Sequence, residues 1–107
     1  MKQYKIIVHV PLTLGDQVRE AIGNAGGGKI GNYSHCSFSV RGVGRFRPND
    51  GAHPHVGEVG KLEEVEEESI EVVVGEPLLQ PVITAIRSVH PYEEPAIEVI
   101  ALAPLKV

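Results

Sequence analysis

The sequence predicts an α+β fold, a ferredoxin-like βαββαβ sandwich with a four-stranded antiparallel sheet and two helices on one face. Apolar residues alternate with a period of two in four short segments and repeat at three and four positions in two others. These segments follow one another in the order β-α-β-β-α-β. Because 107 residues are the length of one domain, we expect a single domain over residues 1–107.

The first strand and first helix are predicted in the N-terminal quarter of the chain. Residues 4–10 alternate as a strand does, and Pro11 stops the strand. Thr13 followed by Asp16 resembles a capping box at the start of a helix. The glycines at 26–28 end that helix. Its apolar stripe consists of Leu14, Val18, Ala21, Ile22 and Ala25.

The second strand is predicted over residues 35–41, followed by a long excursion with little regular structure over residues 42–61. Neighbouring residues of a strand point to opposite faces, so His35 and Cys36 are not expected to share one ion. We expect Cys36 to be a small buried thiol rather than a nucleophile. The residues predicted to face the core are Cys36, Phe38 and Val40.

The C-terminal third predicts a strand over residues 69–74, a helix and a last strand over residues 96–102. Gly75 and Pro77 open the helix, and Pro81 fits only in its first turn, where backbone donors have no partner. The apolar residues of the helix are Leu79, Val82, Ile83, Ile86 and Val89.

The sheet face away from the helices is predicted to carry apolar residues, although a solvated face should alternate to polar ones. An exposed apolar patch of this kind marks an interface. We therefore expect self-association through this open face, with closed symmetry. The apolar residues on it are Ile7, Val73, Ile100 and Leu102.

Composition limits the partners and the compartment. The net charge of −4 argues against a nucleic-acid partner, which requires a basic surface. No apolar run is long enough to span a bilayer, and the N-terminus lacks a signal peptide, so no membrane partner is expected. The single cysteine excludes an internal disulfide and fits a reducing compartment. We expect a cytoplasmic protein.

The segment 90–96, with the sequence HPYEEPA, has the richest chemistry of the chain. Pro91 pushes His90 out of the helical region, so the second helix must end there, and Pro95 extends Glu94 into the last strand. An imidazole, a phenol and two carboxylates project from this stiff corner, and zinc accepts imidazole and carboxylate ligands. The alternative is structural, with Tyr92 anchoring the corner and the glutamates capping backbone donors.

Two further features have a functional and a structural interpretation. His53 and His55 flank Pro54 and could chelate a metal ion, or they could be two solvated loop histidines. The glutamates at positions 63, 64, 66, 67, 68 and 71 could concentrate cations, but a solvated acidic face is the commoner role of such a run. The glycine-rich stretches lack the pattern of a phosphate-binding loop.

Four motifs in order give a resemblance to a known family. The chain resembles the inserted domain of the YqfO family of dinuclear-metal-centre proteins, and the last motif also resembles a corner of CutA. The resemblance implies a trimer of the PII/CutA-like type, with ligand sites in the clefts between subunits. The motifs are GKIGNYSHCSF at 28–38, GVGRFRP at 42–48, GEVGKLE at 57–63 and HPYEEPA at 90–96.

The resemblance implies that this chain is the accessory domain without the larger host domain. In YqfO-type proteins the metals and any hydrolase chemistry lie in a larger host domain, whose ligands have no positions in these 107 residues. Catalytic activity is therefore not carried over, and no catalytic residue is assigned. The candidate ligand-binding residues are His90, Tyr92, Glu93, Glu94, Tyr33 and His35. The candidate metal ligands are His90, Glu93, His53 and His55.

These observations predict a non-enzymatic homotrimeric module that binds or senses a small ligand or a divalent cation. No cofactor other than that metal ion is implied. Two alternatives stay open: an accessory subunit of a separate metal-dependent hydrolase of the YqfO type, and a purely structural trimerisation module.

Overall fold

The computed structural model describes residues 2–105. Within that range the chain forms four strands and two α-helices in the predicted order, and a short 3₁₀ turn precedes each helix. The ferredoxin-like α+β fold is confirmed. The elements are β1 (Gln3–Pro11), α1 (Gly15–Asn24), β2 (Phe38–Phe46), β3 (Glu63–Gly75), α2 (Leu79–Val89) and β4 (Ile97–Ala101).

The strands form one sheet in the order β2-β3-β1-β4, with every neighbouring pair antiparallel. Val8 of β1 lies between Ile70 of β3 and Ile97 of β4, which places the even-numbered residues of β1 on the face that the helices cover. The core lies between this face and the helices. Its buried side chains are Ile6, Val8, Val10, Val18, Ile22, Ile70, Val72, Val74, Val82 and Ile86.

The helix ends follow from glycine and proline. Gly26, at a φ of 101°, donates to the carbonyl of Gly23, and Gly27 donates to that of Ile22, the bonding pattern of a Schellman motif. Pro81 is the third residue of α2, in its first turn as predicted. His90 is extended and ends α2 ahead of Pro91.

The predicted capping box is wrong. Residues 12–14 form the 3₁₀ turn, so Thr13 lies inside that turn and no side chain caps α1. Helix α1 begins instead at Gly15, which is buried, and a Cβ there would collide with the carboxylate of Glu68.

The boundaries predicted for the middle of the chain are also wrong. Strand β2 begins at Phe38 rather than residue 35 and continues to Phe46, and β3 begins at Glu63 rather than residue 69. The two strands pair all the way from Phe38 with Glu71 to Phe46 with Glu63. Beyond the end of β1 they form a two-stranded ribbon with one exposed and one half-buried face, and its glycine and charged residues leave no apolar alternation in the sequence.

The predicted core role of Cys36, Phe38 and Val40 is not what the structure shows. His35 has a φ of 59° and does not lie in a strand, so the argument that it and Cys36 point to opposite faces of a sheet does not apply. Cys36 is half-buried. Phe38 and Val40, 66% and 50% exposed, lie on the sheet face away from the helices.

This open face of the sheet carries apolar side chains among charged and polar ones. The register places Ile7, Val73, Ile100 and Leu102 on it as predicted, together with Phe38 and Val40. One ion pair crosses it, from Lys5 Nζ to Glu71 Oε1 at 2.8 Å.

Neither of the two α-helices in residues 2–105 has the length and apolar composition needed to cross a bilayer.

Candidate functional site

The corner at residues 90–96 begins with a buried histidine whose two ring nitrogens are both engaged. The backbone N–H of Tyr92 donates to His90 Nδ1 at 3.2 Å, and His90 Nε2 lies 2.7 Å from the carbonyl oxygen of His9. Because an amide can only donate and a carbonyl can only accept, these partners assign the proton to Nε2. His90 thus joins the end of α2 to β1.

Tyr92 joins the corner to the open face of β3. Its hydroxyl donates to Glu67 Oε2 at 2.8 Å, and Glu67 is only 8% exposed. Burial of the phenol, followed by its hydrogen bond to Glu67 and the negative charge of that carboxylate, raises the pKa of Tyr92. Tyr92 therefore stays a hydrogen-bond donor at neutral pH.

A cleft of about 550 Å³ opens beside Tyr92. One wall is the end of β2 with the loop after it, and the other is the corner. The ring of Tyr92 lies 6.4 Å from that of Phe46, 6.2 Å from that of His55 and 4.9 Å from that of His90, each pair tilted by about 50°. The cleft thus has aromatic walls, and the carboxylate of Glu67 lies among the residues that line it.

The loop that forms the first wall is tied to the corner. The backbone N–H of His53 donates to Glu93 Oε2 at 2.8 Å, across 40 positions of sequence. Pro48, at the start of the loop, is buried and its carbonyl accepts from Gly60 at 2.7 Å. The opening of the cleft is thereby held by hydrogen bonds within the domain.

The structure brings most of the candidate residues together around this cleft. Tyr92, Glu93, Glu94 and His55 line it, while His90 lies behind Tyr92 and His53 bonds to Glu93 through its backbone. Within residues 2–105, no group of three or more histidine, cysteine, aspartate or glutamate side chains is arranged to hold a metal ion.

Tyr33 and His35 lie elsewhere. Their segment follows Gly28, whose N–H donates to the carbonyl of Val73, near the far end of β3. Val73 is six residues from Glu67, or about 20 Å at roughly 3.3 Å per residue. The ring of His35 bonds to Asn24 Oδ1 at 3.0 Å and to Ser34 Oγ at 3.1 Å, and Tyr33 is 75% exposed. Within one chain these two residues do not reach the cleft.

The sequence interpretation missed Glu67, Phe46 and His9, which line the cleft. Glu67 belongs to the run of glutamates for which the sequence favours a solvated face. The signal that could have found it is strand alternation over residues 63–75, which places Glu67 on the open face and Glu68 on the helix face. Pairing of Glu67 with Gly42 then places it at the base of the ribbon.

No family model matches the sequence. The chain is 51% identical over 100 residues to the GTP cyclohydrolase 1 type 2 homolog of Halalkalibacterium halodurans, covering 94% of this chain and 27% of that protein. It is 45% identical to a solved Bacillus cereus protein related to NIF3, with a TM-score of 0.84, covering 96% of this chain and 26% of the other. The chain thus spans about a quarter of the relatives that it matches.

The fold has other solved counterparts. The PII-like protein CutA from Nostoc superposes with a TM-score of 0.65 at 17% identity, over 94% of this chain and 79% of the other. At that identity the likeness shows the fold alone. Together these matches confirm the resemblance to a PII/CutA-like domain of YqfO-type proteins.

Proposed function

We propose that this chain, a PII/CutA-like domain homologous to about a quarter of the GTP cyclohydrolase 1 type 2 homologs, is a non-enzymatic module that binds a small molecule in the cleft beside Tyr92. The observation that carries the proposal is the cleft itself. Its volume of about 550 Å³ and its combination of apolar and aromatic walls with polar side chains are typical of small-ligand sites. The bonds from Tyr92 to Glu67 and from His53 to Glu93 hold it open, which lowers the ordering cost of binding.

The geometry favours an organic ligand over a divalent cation. A metal ion bound through His90 would have to break the bond to Tyr92 or the bond to His9, because both ring nitrogens are engaged. Glu93 accepts a backbone hydrogen bond through Oε2, and no group of three or more ligating side chains in residues 2–105 is arranged to hold a metal ion. A cation held by His53, His55, Glu93 or His90 is therefore the weaker form of the proposal.

The proposal of binding without catalysis rests on the same contacts. The acceptor nitrogen of His90 is used by a backbone donor, so this histidine has no free lone pair with which to act as a general base. Cys36, the only cysteine, lies with His35 in the segment near the other end of the sheet, away from the cleft. The name carried by the relatives describes proteins about four times longer, so their activity is not assigned to this domain.

Self-association through the open face is the second part of the proposal. Phe38, Val40 and Ile100 are each about half or more exposed and lie on one face of the sheet with the half-buried Ile7 and Val73. Burying such a face removes apolar area from water, which is the main favourable term in association. A closed homotrimer is the assembly that we propose.

The cleft is tested by fragment titration followed by NMR. We expect planar fragments to shift the signals of Phe46, His55 and Tyr92. Ala52 lines the cleft and Ala101 lies at the end of β4, so Ala52→Phe should fill the cleft and abolish those shifts, whereas Ala101→Phe should keep them. Fragments that shift only other residues, or that bind Ala52→Phe as well as wild type, would reject the cleft as a ligand site.

A second candidate function follows from the homology to one quarter of longer relatives. The domain would then act as an accessory module of a metal-dependent hydrolase of the YqfO type. The test is co-purification of this chain with the Halalkalibacterium halodurans relative from which the matching segment has been deleted. Association of the two proteins would favour the accessory role. Separate elution would favour the stand-alone binding module. A purely structural trimerisation module would show the assembly without any fragment in the cleft.

A further inference from the structure

Glu67 has one carboxylate oxygen that no protein group satisfies. Its Oε2 accepts from the Tyr92 hydroxyl, while no hydrogen bond within residues 2–105 reaches Oε1. In the same part of the chain, no fully buried side-chain nitrogen or oxygen lacks a partner. The free oxygen of Glu67 is therefore accessible to solvent, and Glu67 lines both the cleft and the shallow groove that adjoins it over β2.

The neighbouring residues keep this oxygen accessible. A Cβ on Gly44 would collide with Glu67 Oε1, so the glycine leaves the room that the carboxylate occupies. Gly44 is itself part of the cleft lining. Any larger residue at this position of β2 would displace the carboxylate.

The adjacent Glu68 shows what a structural carboxylate looks like in this fold. Glu68 is equally buried, at 8% exposure, but its Oε1 accepts from Arg19 Nη1 at 2.7 Å on the helix side of the sheet. No lysine, arginine or histidine nitrogen of the described residues lies within ion-pair distance of Glu67. Glu67 therefore keeps one carboxylate oxygen that is open to solvent and available to a cation from outside the domain.

We infer that Glu67 anchors the ligand of the cleft, and that this ligand is a small planar organic cation of the amidinium or protonated amino-heterocycle class. An N–H of the ligand donates to Glu67 Oε1, and its ring lies beside Phe46 and Tyr92, whose faces attract cations, with His55 next to Tyr92. The inference rests on the proposed function of the cleft.

The charges that line the cleft agree with this ligand class. Glu93 and Glu94 line it together with Glu67, and Arg47 is an opposing charge. Arg45, the other lining cation, is already paired with Glu64 at 3.0 Å. The remaining field in the cleft therefore favours a positive ligand.

The test is calorimetric titration with benzamidine, benzamide and benzoate, three probes of one shape that differ in charge. Benzamidine should bind wild type most tightly and benzoate least. Glu67→Gln should weaken benzamidine binding by roughly 10-fold or more, the usual effect of losing a hydrogen bond to a charged group. Glu66→Gln makes the same charge change on an exposed neighbour outside the cleft, and it should leave the affinity unchanged.

Tyr92→Phe separates ligand anchoring from a merely structural role. It removes the hydroxyl that bonds Glu67 but keeps the ring and the carboxylate, so it should weaken benzamidine, benzamide and benzoate by a similar factor, whereas Glu67→Gln should weaken benzamidine selectively. If Glu67 served only to hold Tyr92, Glu67→Gln would also weaken all three probes alike. That outcome would overturn the inference.

The other outcomes distinguish the inference from the proposed function. Three outcomes would reject the cationic class while leaving the cleft a ligand site. In the first, benzoate binds as tightly as benzamidine; in the second, Glu67→Gln and wild type bind benzamidine equally. In the third, other fragments bind in the cleft and benzamidine does not. An absence of every probe and fragment from the cleft would reject both.

Discussion

Tyr92 and Glu67 couple a phenol to a buried carboxylate, and this pair makes stability depend on alkaline pH. Burial and Glu67 raise the pKa of Tyr92 above the ordinary value of about 10. The folded chain then holds the proton more tightly than the unfolded chain. Its contribution to stability is full below about pH 10 and is lost as the pH rises from there toward the folded-state pKa.

We therefore expect the free energy of unfolding to fall more steeply above about pH 10 in wild type than in Tyr92→Phe, which has no phenol to titrate. The measurement is urea unfolding of both proteins at several pH values. Lysines and the other tyrosines contribute equally to both curves, so the difference between the curves isolates Tyr92. Parallel curves would contradict the raised pKa.

Residue types alone predict the bend at residues 90–96, but they do not predict which residues contact it. The polar groups of HPYEEPA and the break at Pro91 are local properties, and the structure shows the sharp bend that they imply. Glu67 and Phe46 come to Tyr92 from 25 and 46 positions away along the chain. Such contacts depend on strand register, which a single residue does not encode.

At the scale of the element, the end of α1 depends on a left-handed glycine. Gly26 has a φ of 101°, and a Cβ there would lie 2.8 Å from Leu78 Cδ1. Gly26→Ala should therefore lower the free energy of unfolding by roughly 1–2 kcal/mol, the cost of a left-handed conformation for an L-residue. Urea unfolding at neutral pH measures it.

Gly42→Ala is the matched control for that substitution. Gly42 has no positive φ, and nothing lies within 4 Å of a Cβ built there. Alanine in this strand should be neutral or stabilising by up to about 1 kcal/mol, because it restricts the unfolded chain. Equal losses in both variants would show that left-handed geometry is not what the helix end requires.

The elements differ in how far the sequence specified them. Both helices follow from an apolar stripe and a glycine or proline boundary, so their positions were predictable within a few residues. The ribbon of β2 and β3 was not, because its stability comes from backbone pairing between strands whose side chains mostly face water. Alternation of apolar residues detects a strand only where one face is buried.

At the scale of the whole molecule, the open face of the sheet is the feature on which the oligomeric state depends. Helices cover one face of the sheet, whereas Phe38, Val40 and Ile100 remain exposed on the other. This asymmetry was predictable from sequence for Ile7, Val73, Ile100 and Leu102, because a two-residue period fixes the face once a strand is located. Phe38 and Val40 were placed on the wrong face because β2 had been given a core pattern.

We expect the chain to run as a trimer in light scattering at micromolar concentration, and Val73→Lys to weaken that assembly. Val73 is half-buried on the open face, and a lysine there would bring an unpaired charge into the interface. The mass should shift toward the monomer, with the apparent dissociation constant raised by at least about tenfold. Circular dichroism should show the same secondary structure in both proteins.

Val59→Lys provides the control for added charge, because Val59 is 47% exposed and lies between β2 and β3, outside the sheet. It should assemble as wild type does. If wild type is already a monomer at micromolar concentration, the open face is not a self-association surface. If Val59→Lys dissociates as readily as Val73→Lys, the effect is one of net charge rather than of a particular face. Loss of assembly in Val73→Lys alone would locate the contact on the open face of the sheet, the face that also carries Glu67 beside the cleft at the base of the ribbon.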